Sequence, residues 1–168
     1  PADHEVVFEL ATLDNNIGHV LESRARFAEA TVQYQAMLDL TRTLLAAEPR
    51  NPEWLVQSGM AHNNLGKMAL LRGDLATAIA EYAADERIES ALAARDPKDN
   101  NQRENLLLVR GILGRTLGFT GNRQAAIGYL RDASAIAEQL HAADPDNAGL
   151  HEDVALCALQ LARLLRLR

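Results

Sequence analysis

Apolar side chains recur at three- and four-residue steps along the chain, and Val6, Leu10, Leu13, Ile17 and Val20 show the pattern first. That spacing places them on one side of an α-helix, and Ala78, Tyr82, Ile88 and Leu92 form another such stripe. Read with the breaks between stripes, the pattern predicts helices over 4–24, 26–47, 52–72, 74–95, 100–120, 122–143 and 148–168. The fold class is therefore all-α, with about seven helices.

The helices are copies of one another. Ile17-Gly18, Leu65-Gly66 and Leu113-Gly114 lie 48 residues apart, and so do Glu48-Pro49, Asp96-Pro97 and Asp144-Pro145. Further columns keep their residue type at the same period: Ala30, Ala78 and Ala126; Tyr34, Tyr82 and Leu130; Leu40, Ile88 and Ile136; Leu44, Leu92 and Leu140. The repeats run over about 4–51, 52–99 and 100–147, with a partial fourth at 148–168, and each holds a first helix, A, and a second, B.

Residues at the breaks explain why the helices stop. Arg72-Gly73-Asp74 and Thr120-Gly121-Asn122 each put a glycine where a helix ends in a left-handed residue, followed by a side chain able to cap helix B. Ala25 replaces that glycine in the first repeat and predicts a slightly strained turn. The prolines close each repeat, and Asn51, Asp99 and Asn147 are placed to cap the next helix A.

A chain of 168 residues with 48% apolar side chains is expected to fold as one domain, 1–168, and only 4% aromatics suits narrow helix seams. It begins at Pro1 and ends within a helical pattern, so it reads as a fragment of a longer protein. A net charge of −6 argues against a nucleic-acid partner, although Arg163, Arg166 and Arg168 form a local basic tail. No apolar run approaches the length of a membrane span. Cys157, the single cysteine, permits no intrachain disulfide and reads as a small core residue. A reducing compartment fits at least as well as an oxidising one, and the cytoplasm is the expected location.

Leu65-Gly66, Gly73-Asp74, Ala78-Ile79, Tyr82 and Pro97 follow one another in an order and spacing that resembles a tetratricopeptide repeat. The unit is longer than that family's usual length of about 34 residues, and is similar to extended repeats of bacterial multidomain signalling proteins. The resemblance implies a right-handed α-solenoid of antiparallel helix hairpins that binds a protein or peptide along a concave surface lined by the A helices. It also implies an alternative, a regulatory or sensor segment docking within a larger protein onto a kinase or nucleotide-switch domain.

Candidate ligand contacts lie on the A helices. Asn15, Asn16, Asn63 and Asn64 occupy matching columns, and a carboxamide can both donate to and accept from a peptide backbone. The same side chains could instead bond to one another and hold the stack. His19, Lys67 and Arg115 form a basic ladder 48 residues apart, suited to an acidic segment or carboxylate, or simply a solvated strip. The carboxylate clamp of some tetratricopeptide proteins is incomplete, because Leu108 and Ile112 stand where its third helix has Lys and Arg.

Gly111, Gly114, Gly118 and Gly121 crowd into one segment; two belong to repeat columns, while Gly111 and Gly118 suggest close helix packing or a bare patch for a ligand. The spacing is not that of a phosphate loop. His4, His19, His62, His141 and His151 show no metal-site spacing, and no acid, base and nucleophile converge, so neither metal, cofactor nor enzymatic activity is expected. The last helix carries Val154, Leu156, Leu159, Leu161, Leu164, Leu165 and Leu167, more than one neighbour can cover. Leu159, Leu164 and Leu165 are expected to meet another copy or an adjacent domain.

Overall fold

The computed structural model describes residues 3–166, without the side chain of His151. Among them all regular structure is helical: α1 (His4–Ser23), α2 (Phe27–Ala47), α3 (Pro52–Leu71), α4 (Leu75–Arg95), α5 (Asn100–Phe119), α6 (Arg123–Ala143) and α7 (Ala148–Arg166). Arg168 and Leu167, the ends of the basic tail and of the last apolar run, lie outside the described residues.

Helix starts and stops follow local chemistry at the repeat period. The first backbone N–H groups of a helix have no partner within it, and Asp3, Asn51, Asp99 and Asn147 each accept from them at the starts of α1, α3, α5 and α7. Asp74 accepts from the Thr77 amide and caps α4 in the same way. Asn122 makes no such bond, which corrects the expectation for the turn before α6. Gly73 and Gly121 have φ of 76° and 80°, and Ala25 is held in the same left-handed region at 58°. The alanine carries the steric cost that glycine avoids.

Close contacts divide the chain into two compact units, Pro1–Ile88 and Glu89–Arg168, the division falling within α4. In the first unit α2 packs on α1 and α3 on α2, around Ala11, Ala30, Tyr34, Met37, Leu38, Ala61, Leu65 and Met68. Val7, Leu44 and Trp54 form a second cluster. Gly18 lets the Tyr34 ring lie against the backbone of α1, since a Cβ there would overlap it; at Gly66 a Cβ would meet the Tyr82 ring at 2.8 Å. In the second unit α6 packs on α5 and α7 on α6, burying Leu107, Ala133, Ala137, Leu140, Leu150 and Cys157. Gly114 plays the same part there, where a Cβ would lie 2.8 Å from Leu130 Cγ.

The stripe that opens the chain is not its buried side. Val6, Leu10, Leu13, Ile17 and Val20 are 38–54% exposed, and α1 buries Val7, Ala11, Asn15 and Gly18 instead. On α3 the stripe's counterparts, Trp54, Ser58, Ala61, Leu65 and Met68, are buried. The apolar stripe marks the side that packs on a preceding helix, and α1 has none among the described residues. Leu164 is also turned inward: a Cβ at Gly118 would lie 3.4 Å from it, whereas Leu159 and Leu165 are exposed.

Candidate binding site

In the first unit the polar candidates are largely committed to one another. Asn64 donates to Asn15 at 2.9 Å, and both are buried, so this pair ties α3 to α1. Burying two carboxamides is tolerable because each supplies the other's partner. Asn63 donates to Asp85 at 2.8 Å, and His62 lies 2.7 Å from Glu81, both bonds running from α3 to α4. Asn16 is exposed.

Two rungs of the basic ladder are tied down as well. Lys67 pairs with Glu22 at 2.8 Å. Tyr34 donates to the other oxygen of Glu22 at 3.0 Å, and His19 Nδ1 stands 3.1 Å from the same hydroxyl. A hydroxyl has one proton to give, so His19 is the donor to Tyr34. Burial opposes ionisation of Glu22, but the hydrogen bonds from Lys67 and Tyr34 and the charges of Lys67 and His19 outweigh it and hold its pKa below the ordinary value. Burial, with Glu22 adding to it, raises the Tyr34 hydroxyl well above its usual range.

Asp85 is the buried carboxyl of this unit. Burial pushes its pKa up to about 6, against the lowering effect of the Asn63 bond and His62, with nearby Glu86 raising it further. Its column holds Met37 and Ala133 in the other repeats, so a carboxylate interrupting an apolar column was the available signal, and the sequence reading passed over it.

Arg115 stands differently. It is half-buried at the edge of a cleft of about 80 Å³ in the second unit, lined on the apolar side by Leu107, Leu108, Ile112, Leu130 and Leu156. Asp153, Cys157 and Gln160 complete the rim. A single water needs about 10–15 Å³, so the space suits a branched aliphatic side chain. Gly111 opens it: a Cβ there would meet nothing within 4 Å, which corrects the expectation of close helix packing at that glycine. Among the described residues Arg115 makes no hydrogen bond or ion pair. The column that supplies Glu22 to Lys67 holds Leu70 and Gly118 in the next repeats, so no acid recurs there.

Two groups on the cleft are shifted toward their neutral forms. Asp153 is raised by burial and then by Glu104 and Glu152. The Cys157 thiol is raised by burial and by Asp153, with Arg115 opposing, so it is a core thiol and a poor nucleophile. Among the described residues no three metal-ligating side chains gather, and no helix is long and apolar enough to cross a membrane. The ladder has a fourth rung that the sequence reading missed: Arg163, exposed on α7, lies 48 residues after Arg115. Set against known proteins, the chain matches no family model and no curated sequence.

Proposed function

We propose that this chain is a non-enzymatic, tetratricopeptide-like scaffold of the α-solenoid type that binds a protein or peptide. Its anchor is the Arg115 cleft, which takes an aliphatic side chain next to a carboxylate. The observation that carries this reading is a half-buried guanidinium that makes no ion pair among the described residues, beside apolar space and in the column where His19 and Lys67 are both engaged. A half-buried cation with no partner gains more from an arriving carboxylate than an exposed one does. Asn16, at the surface, is available for additional backbone contact.

The test is calorimetric titration with a short acetylated peptide ending in leucine with a free carboxylate. Amidating its end, or changing Arg115→Ala, removes a charge-assisted pair of about 1.5–3 kcal/mol and should weaken binding at least tenfold. Equal binding by all three combinations would refute the anchor.

A further inference from the structure

The seam between α1 and α3 and the seam between α5 and α7 are built from the same repeat columns, yet their polar groups fare differently. In the first seam Asn64 donates to Asn15, Gln57 donates to Thr12 at 3.4 Å, and His19 contacts the Tyr34 hydroxyl. In the second, the columns of Asn15, Thr12 and Tyr34 hold Gly111, Leu108 and Leu130, none of which offers a side-chain hydrogen-bonding group. The columns of Asn64, Gln57 and His19 hold Gln160, Asp153 and Arg115, which are all polar. The partners have been replaced while the groups they served remain.

Those three side chains line one cleft, whose walls come from α5, α6 and α7 of a single compact unit. All three are half-buried, and among the described residues none of them makes a hydrogen bond or an ion pair. Arg115 and Asp153 do not neutralise each other: the Asp153 carboxyl is raised by burial, Glu104 and Glu152, with no cation opposing them. Both nevertheless act on the Cys157 thiol, where Asp153 adds to the effect of burial and Arg115 counters it. The cleft therefore carries a negative and a positive pole beside the same apolar space.

Shape and charge together narrow the ligand. About 80 Å³ of apolar space takes one branched aliphatic side chain, with the two poles at its rim. An internal peptide residue offers neither an ammonium nor a carboxylate, a carboxyl-terminal residue only the carboxylate, and an amino-terminal residue only the ammonium. A free amino acid has both on the carbon that bears its side chain, and each charge would meet a half-buried group of opposite sign that lacks a partner.

We propose that the α5–α7 cleft binds a free amino acid with a branched aliphatic side chain, its carboxylate on Arg115 and Gln160 and its ammonium on Asp153. This rests on the assignment of Arg115 to a carboxylate made above and adds a second ligand, which competes with the peptide end for the same space.

Calorimetric titration with L-leucine, N-acetyl-L-leucine, L-leucinamide and glycine tests the assignment. The acetyl analogue lacks the ammonium, leucinamide the carboxylate and glycine the side chain, so each should bind at least tenfold more weakly than L-leucine. Asp153→Asn, with its helix content checked by circular dichroism, should abolish the preference for L-leucine over N-acetyl-L-leucine. L-leucine should also displace the leucine-ended peptide. Equal binding of L-leucine and N-acetyl-L-leucine, both lost in Arg115→Ala, would overturn the ammonium site and leave the carboxylate anchor standing. Peptide binding without any binding of L-leucine, or a preference for L-leucine that survives Asp153→Asn, would overturn it as well. If neither L-leucine nor the peptide bound, the anchor and this inference would fall together.

Discussion

The same repeat column does two different things in the two units. In the first, Lys67 is bound to Glu22, which also receives the Tyr34 hydroxyl that His19 contacts, and the cations serve cohesion. In the second, Arg115 stands beside apolar space and makes no ion pair among the described residues, and Leu130 replaces the tyrosine. A repeat fixes where a side chain sits, whereas its neighbours decide whether its charge is consumed internally or left for a ligand.

Truncating the residue over the column glycine should have the largest effect on stability and should separate the units. Tyr34→Ala removes a fully buried ring together with its bonds to Glu22 and His19, and should cost about 3–5 kcal/mol in urea unfolding. Leu130→Ala removes apolar packing alone and should fall toward the lower part of an about 2–5 kcal/mol range. A Leu130 cost exceeding that of Tyr34 would mean that the polar network adds nothing to the first unit.

The buried carboxamide pair comes next. Asn64→Ala leaves the amide oxygen of Asn15 buried without its donor and should cost about 1–3 kcal/mol, whereas Asn16→Ala at the surface should stay within about 0.5 kcal/mol. If both changes proved silent in unfolding but Asn64→Ala weakened peptide binding, the asparagines would belong to a ligand site.

Asp85 and Glu22, shifted in opposite directions, should give opposite pH dependences of stability. The folded-state pKa of Asp85 is raised to about 6, so the native chain holds its proton more tightly than the unfolded one. Its contribution is present at low pH and is lost as pH rises from the ordinary carboxyl range through about 6. Glu22 is lowered, so its contribution is present above the ordinary value and is lost as pH falls below it. Denaturation midpoints measured across pH should lose the first dependence in Asp85→Asn and the second in Glu22→Gln.

The smallest effect expected compares the turns. Ala25→Gly relieves a left-handed alanine and should stabilise by about 0.5–1 kcal/mol, while Gly73→Ala should destabilise by about 1 kcal/mol. Thermal melts of the two variants should move in opposite directions.

How legible each feature was depended on whether its cause was local or tertiary. Helix ends are set by caps and turn residues adjacent in sequence, so the boundaries and the strain at Ala25 were readable. The side of α1 that is buried depends on which neighbours exist, and an apolar stripe looks the same whether covered or bare. The candidate site was half legible for the same reason. Periodicity located Asn15, Asn64, Lys67 and Arg115 on repeat columns, but the partners that consume the first three, and the cleft that the fourth shares with Asp153, emerge only from packing. Gly111 was conspicuous in sequence, yet only the space beside it distinguishes a cleft from a tight crossing.

The most direct check is backbone amide chemical-shift mapping during titration with the leucine-ended, free-carboxylate peptide. The account predicts movements confined to the cleft, at Gly111, Ile112, Arg115, Leu156 and Gln160, with Asn15 and Asn64 unmoved and the response lost in Arg115→Ala. Shifts centred on Asn16, His19 and Asn63, or a response that survives Arg115→Ala, would contradict it.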